Sequence, residues 1–516
     1  MTKSVDHLIS ERAKSRVSSH FTSAPSEAPP SGFKPHPKPL LLSYGTPNNG
    51  FFPIDSLDIN LVHYPFEHQD KKEARGESLK RLAASSSNSA SNGKNGKAES
   101  YDNSVEVVRH TQDPSIVDLS TGLQYANVEG HKPLLQFTKD FIKRTHNPAH
   151  DQWESILTTG ASDGLNKACD AVLNPGDVVL IEEFTFLPFV RFSDHAQAIP
   201  VPVKIDFSNE SNGIDLGYLR ELLDNWHDLK PNLPKPKALY TIATGQNPTG
   251  YTQTVEFRKQ VYELAEKHDF IIIEDDPYGY LTLPKYQHQR PTNDSVKSDV
   301  TIDDYIANHL TPSYLELDTT GRVIRVETFS KLFAPGLRLG FIIAHASIIK
   351  AIKNYGEVVN RGASGLSQLA VNNVVYGKLG GVDGWIGWIL KMRQRYSLRK
   401  DLLLHTIYQS EAYKQGLVDV IDPKAGMFVT FKIKFLDARP ENEIVAKMKQ
   451  ALWKVINFGV AVVPGSNMAV DSKFSAARSN FFRLCYAPAN DDAEIVESGK
   501  RLTDAILDFY NNGEKF

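Results

Sequence analysis

Cysteine is scarce in this chain: Cys169 and Cys485 are the two among 516 residues, far apart and in no C-x-x-C pair. That excludes a disulfide framework and a structural zinc site, and no metal site of any kind is expected. It also suits a reducing compartment, for which the cytoplasm is the expectation. No apolar run reaches the ~18 residues of a membrane span, and the N-terminus lacks the apolar core of a secretory signal. Asp6 and Glu11 argue against a mitochondrial presequence in the mildly basic opening stretch. An excess of charge of one sign is missing too. With a formal net charge of −3, neither nucleic acid nor an anionic membrane is indicated as a partner. No internal repeat at solenoid periods is visible.

What is present is an ordinary globular composition, 41% hydrophobic and 23% charged, on a chain long enough for one large and one small domain. Residues 1–110 read as an N-terminal arm and a contribution to the small domain. Within them, a short helix is expected around Val5–Ser18, a Pro- and Ser-rich extended arm over 22–39, and a disordered polar insertion over 83–99. Residues 111–347 read as the large domain, and 348–516 as an inter-domain helix followed by a smaller α+β domain.

From about residue 114 helices and strands alternate. Helices are predicted over Leu134–Thr145, Gly164–Leu173 and Val255–His268. Strands are predicted over Val178–Glu182, Ile199–Ile205, Ala238–Ile242, Phe270–Glu274, Val323–Glu327 and Leu339–Ala344. Short apolar strands separated by helices predict an α/β fold with a mostly parallel sheet covered on both faces. A long helix over Ile348–Tyr376, a second over Trp385–Ser410, and strands near Met427–Ile433 and Phe481–Tyr486 complete the pattern.

Open parallel sheets bind ligands beyond the carboxyl ends of their strands. Three clusters follow predicted strands directly: Thr244-Gly245-Gln246-Asn247-Pro248-Thr249-Gly250, Asp275-Asp276-Pro277-Tyr278, and Thr328-Phe329-Ser330-Lys331. Lys331 stands among Phe, Leu, Ala and Pro, and a lysine in such surroundings needs a counter-charge or a covalent fate that removes its charge. An imine with pyridoxal phosphate supplies the second, after which the freed amine can serve as general base. That chemistry requires a carboxylate at the pyridine nitrogen, for which Asp275 is the candidate, and donors to the ring oxygen, for which Tyr278 and Asn247 are placed. The phosphate requires hydroxyls, a guanidinium and helix N–H groups. Thr328, Ser330, Arg338 and the helix start Thr159-Gly160-Ala161-Ser162-Asp163-Gly164 offer them. A substrate carboxylate requires a bidentate partner, and Arg483 is the candidate. Each residue also has a plain reading: a snorkelling lysine, a turn-capping Asp-Asp-Pro, an ordinary Asn-Pro turn, an ion-paired arginine, a packed Phe186. The conjunction of three strand-end clusters in workable order favours the chemistry.

These segments, together with Ile181-Glu182-Glu183-Phe184-Thr185-Phe186 and Glu327 through Leu339, resemble fold-type I pyridoxal-phosphate aminotransferases. Within them the chain is similar to the fungal aromatic-amino-acid aminotransferases of the aromatic aminotransferase II branch, related to kynurenine/α-aminoadipate aminotransferases. The resemblance implies a homodimer acting on an aromatic amino acid and a 2-oxo acid. It implies that Phe186 stacks on the pyridine ring, that Gly45 lies in a mobile substrate-facing segment beside Tyr44, and that Tyr125 reaches the neighbouring subunit's phosphate. It also implies an arginine of the N-terminal arm, Arg12 or Arg16, capping the substrate pocket. Two departures stand out. Kynurenine-type relatives carry Gly-Gly where Tyr44-Gly45 stands, and Ser-Gln where Ala161-Ser162 stands, which removes one hydroxyl from the phosphate cup. Aminoadipate or kynurenine transamination, a lyase of the same fold and a pyridoxal-binding regulator are the alternatives. The last requires a basic helix pair that residues 1–110 do not show.

Overall fold

The computed structural model describes residues 5–16, 28–38, 40, 45–62, 103–208, 211–292, 300–435, 437 and 439–516. Tyr44 and the insertion 83–99 lie outside the described residues. Three sheets are present among the described residues. β1 (Leu57–Asn60) pairs antiparallel with β2 (Ser104–Val107). β3 (Trp153–Thr158), β4 (Val178–Glu182), β5 (Ile199–Val203), β6 (Pro236–Thr241), β7 (Ile271–Asp276), β8 (Val323–Thr328) and β9 (Gly340–His345) form a seven-stranded sheet of order β3-β9-β8-β7-β6-β4-β5. In it only β9 runs against the others. β10 (Val418–Ile421), β11 (Phe428–Ile433), β12 (Val463–Pro464) and β13 (Phe481–Cys485) form an antiparallel sheet of order β10-β11-β13-β12.

Strands buried on both faces carry continuous apolar runs, and successive side chains feed opposite cores. Ile271, Ile273, Ile324 and Val326 join Leu165, Ala168 and Val172 of the helix Ala161–Val172 on one face. Ile272 and Val323 join Val261 and Leu264 of the helix Val255–His268, and Phe137 and Phe141 of the helix Lys132–Thr145, on the other. Truncating a fully buried residue such as Ile272 to Ala would cost about 2–5 kcal/mol. The helix Val255–His268 is bounded as its sequence predicts: the Thr254 hydroxyl accepts from the Phe257 N–H, and Asp269 ends it in the left-handed conformation.

Some elements differ from expectation. The helix predicted over Ile348–Tyr376 is two helices, Ala346–Val359 and Gly365–Val374. The break falls at Arg361 and Gly362, both with positive φ, a conformation incompatible with a continuing α-helix. Just before it, Asn360 reaches Asp163 and Thr159 at the start of the helix Ala161–Val172. β3 and β10 were not foreseen. β7 runs on to Asp276, so Asp275 belongs to the strand rather than to the turn after it. The N-terminal segment is a 3-10 turn at Asp6–Leu8 and a short helix at Glu11–Lys14, divided where Ser10 caps the second.

Candidate functional site

The carboxyl ends of β3, β4, β6, β7 and β8 lie along one edge of the large sheet, and a cleft of about 180 Å³ opens there. Ala161, Ser162, Phe186, Asn247, Asp275, Tyr278, Thr328, Ser330, Lys331 and Arg338 all line it. Ile242, Pro277 and Pro335 line it too, and sequence reasoning missed them because nothing in an apolar or proline residue marks it as cleft-facing.

The acidic wall is formed by β7. Asp275 is buried, and the Tyr240 hydroxyl of β6 donates to its Oδ2 at 2.7 Å. Oδ1 is buried with no hydrogen-bond partner. Burial pushes the Asp275 carboxyl up to about 7, with the Tyr240 bond opposing and the Asp276 charge adding to the rise. Lys331, half-buried, follows β8 into the same cleft.

The far end is an anion cup. Gly160 precedes the helix Ala161–Val172 with φ +80, and a Cβ there would meet Arg338 Nη2 at 2.7 Å, so glycine makes room for the guanidinium. Asp163 accepts from the Thr159 N–H at 2.9 Å and so closes the helix start. The first N–H groups of that helix have no intrahelical acceptor and point a partial positive charge outward. The Thr328 hydroxyl donates to Ser330 Oγ at 2.8 Å, and Arg338 sits exposed in the left-handed conformation, its Nη1 donating to the Pro335 carbonyl.

Arg483 arrives from the other sheet. In β13, opposite Thr430 of β11, it donates from Nη1 to Asn247 Oδ1 at 2.8 Å, and its guanidinium carbon lies 4.5 Å from the Phe428 ring centroid. Tyr278 meets the same ring edge-on. Arg483 Nε is buried without a hydrogen-bond partner, and no ion pair holds the residue among the described residues. Burial lowers its pKa. A guanidinium with an aromatic shelf and no counter-charge is suited to an incoming carboxylate.

A second layer, missed from sequence, holds this arrangement. Glu182 accepts from Thr241 Oγ1 at 2.7 Å and from Gln246 Nε2 at 3.0 Å, and Gln246 Oε1 accepts from Thr249. The loop bearing Asn247 is thus framed by a buried carboxylate whose pKa burial pushes up to about 7. On the opposite face of the sheet, Arg325 is fully buried among Glu274, Asp276 and Glu327, with Arg258 also on Glu274.

Five expected residues are not among those that line this cleft: Arg483, which is bonded to the cleft-lining Asn247, and Tyr125, Gly45, Arg12 and Arg16. Tyr125 is 72% exposed. Gly45 is exposed with open space around it, and its segment is tied to Tyr125's neighbourhood by Gln124, which donates to the Pro47 carbonyl. Arg12 and Arg16 do not cap it either: both pair with Asp170 near the far end of the helix Ala161–Val172, and Arg16 also lies over Tyr355. The Ser10 hydroxyl and N–H bond the carbonyls of Asp170 and Ala171 and fix that docking.

Comparison with known proteins extends the picture. The family described as aminotransferase class I and II matches residues 91–502. Aromatic amino acid aminotransferase 2 of Saccharomyces cerevisiae is 36% identical over 493 residues, covering 91% of this chain and 90% of its own. The mitochondrial kynurenine/alpha-aminoadipate aminotransferase of Mus musculus is 31% identical over 399 residues, covering 75% and 83%. A crystal structure of the aromatic aminotransferase Aro9 from C. albicans superimposes with a TM-score of 0.87 at 60% identity, over 99% of each chain.

Proposed function

The chain belongs to the aminotransferase class I and II family, and from that membership we propose that it moves the amino group of an aromatic amino acid to a 2-oxo acid such as 2-oxoglutarate or phenylpyruvate. The cofactor of this reading is pyridoxal 5'-phosphate. The observation that carries it is the meeting, in one region, of an amine at Lys331, a buried acid with one unpartnered oxygen at Asp275, and a guanidinium without a counter-charge at Arg483.

The donor set fits the cofactor. Asp275 Oδ1 would hold the ring N–H, which also removes the cost of leaving that oxygen buried and unbonded. Thr328, Ser330, Ser162, Arg338 and the N–H groups from Ala161 onward would hold the phosphate, the glycine at 160 leaving space for Arg338. Phe186 offers a ring face, and Asn247 and Tyr278 offer donors to the ring oxygen. When bound, pyridoxal phosphate supplies a carbonyl that takes up an amino group and a ring that withdraws electrons from the substrate Cα.

The chain's own residues do the rest. Arg483 binds the substrate carboxylate, and Phe428 and Asn247 hold its guanidinium in plane. Lys331 is the base that moves the proton at the substrate Cα. Asp275 keeps the ring nitrogen protonated, and the buried strands beneath the cleft keep water from the charges that develop. Amino acid and oxo acid use Arg483 in turn, so ping-pong kinetics are expected.

A homodimer completes this reading. Tyr125, Val358, Val359 and Leu366 are all exposed. Gly365 lies against the Gly122 carbonyl, so the segments bearing Leu366 and Tyr125 adjoin, and Asn360, next to Val359, reaches Asp163 beside the anion cup, which marks out an exposed face. That supports a second copy covering it, with Tyr125 serving the partner's phosphate. The cytoplasm is the proposed compartment; no described helix is long and apolar enough to cross a membrane.

The test is a panel of half-reactions. The purified protein with pyridoxal phosphate is given phenylalanine, tyrosine, tryptophan, kynurenine or aminoadipate, and the spectral change is followed, with glutamate measured after 2-oxoglutarate is added. Faster turnover of the three aromatic amino acids supports the proposal. Faster turnover of aminoadipate or kynurenine would move the chain to the substrates named for its mouse relative.

A further inference from the structure

Asp275 has one hydrogen bond to its carboxylate among the described residues, and the donor is a side chain that does not itself line the cleft. Tyr240, in β6 beside β7, is fully buried. Its hydroxyl donates to Asp275 Oδ2 at 2.7 Å. Its ring lies face to face on Phe189 of the helix Pro188–His195, with centroids 3.6 Å apart and planes 7° from parallel. The phenol therefore has neither lateral freedom nor another acceptor given by the structure. Burial, then the charge of Asp275, hold its pKa well above the ordinary phenol value, so it remains a donor.

A phenylalanine would fill the same volume and keep the stack. The hydroxyl costs desolvation unless it is bonded, and here its single bond goes to one oxygen of the one carboxylate that faces the cleft among the described residues. With Oδ2 tied, rotation of the carboxylate about its own axis is blocked, and Oδ1 is left buried, unbonded and fixed in direction. Binding groups are effective when a second layer locks their geometry before the ligand arrives.

We propose that Tyr240 is a positioning residue: by fixing Oδ2 of Asp275 it presents Oδ1 to the ring nitrogen of bound pyridoxal phosphate. The proposal rests on the reading of the cleft as a pyridoxal-phosphate site. Tyr240 touches neither cofactor nor substrate; it acts through Asp275, whereas the anion cup at Ala161, Ser162, Ser330 and Arg338 is independent of it.

The experiment measures binding by cofactor-free protein, not turnover. Wild type, Tyr240→Phe, Asp275→Asn and the double variant are titrated with pyridoxal phosphate, with inorganic phosphate as a competing probe of the cup, and the visible circular dichroism of the bound chromophore is recorded. Tyr240→Phe should weaken pyridoxal phosphate roughly tenfold or more, the loss expected for a hydrogen bond to a charged group. Inorganic phosphate should bind as in wild type, and the induced dichroism should fall as the ring loses its fixed orientation. In the Asp275→Asn background the same change should cost less than about twofold, because the residue acts through the lost carboxylate. Undiminished affinity in Tyr240→Phe, a parallel loss for inorganic phosphate, or an equal loss in the Asp275→Asn background would each overturn the role. A wild-type protein that takes up no pyridoxal phosphate overturns the reading of the cleft as well. Wild-type uptake with any of the former results overturns this proposal alone.

Discussion

Replacing Asp275 by Asn should make the cofactor-free protein more stable while loosening its hold on pyridoxal phosphate. The folded chain carries this carboxyl at about 7 instead of 3.8, chiefly because it is buried. Between those two values the folded protein keeps the proton and the unfolded chain has lost it. Stability therefore falls as pH rises through that window, and the full cost is present above about 7. At about 1.4 kcal/mol for each tenfold change in proton affinity, the cost is about 4 kcal/mol at pH 8 and under about 2 kcal/mol at pH 5. Asparagine has no charge to bury and retains an oxygen for the Tyr240 hydroxyl. With an unfolding entropy of about 2.1 cal/mol/K per residue, the variant should melt about 4 °C above wild type at pH 8 and about 1.5 °C above it at pH 5. Scanning calorimetry of both cofactor-free proteins at the two pH values measures this. Saturating pyridoxal phosphate should reverse the order, because a ring cation beside Asp275 offsets the burial of its charge and a neutral amide gains nothing comparable. A variant no more stable than wild type at pH 8, or a gap that does not change with pH, would refute the reasoning.

Lys331→Ala should abolish turnover of phenylalanine with 2-oxoglutarate, and retained turnover would reject Lys331 as the base. Arg483→Gln should raise KM for amino and oxo acids alike, by roughly 10- to 100-fold for a lost charge-assisted pair; an unchanged KM for both removes its carboxylate role. Gly160→Ala should raise the Kd of pyridoxal phosphate about tenfold, since φ +80 with ψ 172 is a glycine conformation that costs about 1–3 kcal/mol with a Cβ, and Arg338 must shift; equal Kd values would mean that the cup does not depend on that close approach. Arg325→Met leaves Glu274, Asp276 and Glu327 buried together without their guanidinium, and the urea midpoint should report a loss of about 3–5 kcal/mol.

Sequence made the strand-end residues legible because each follows an apolar run that ends in a chemically unusual cluster. Asn247, Asp275 and Lys331 needed only the rule that ligands sit at carboxyl ends. What lay a strand away was hidden. Tyr240 sits in the run Leu239-Tyr240-Thr241, and the pattern alone does not distinguish a packed tyrosine from one aimed at a neighbouring strand's acid. β3 escaped because Trp153, Glu154 and Ser155 do not form an apolar run and its partner, β9, is far along the chain. The single helix read across 348–376 followed an apolar periodicity that continues through Arg361 and Gly362, where positive φ ends it. Resemblance alone makes pocket caps of the arm arginines, and Asp170, which holds both, carries no mark in sequence.

Arg483 has one more consequence, for anyone who handles the protein. As the proposed receptor of the substrate carboxylate, a guanidinium backed by Phe428 and bonded to an amide oxygen rather than an acid offers nothing that would tell one small monocarboxylate from another. Acetate and formate buffers are then expected to compete with the substrate, and rates measured in them should fall with buffer concentration rather than with ionic strength. With Arg483 in that proposed role, discrimination among amino acids would come from whatever surrounds the rest of the molecule, since the acid group common to all of them would meet a receptor that treats them alike.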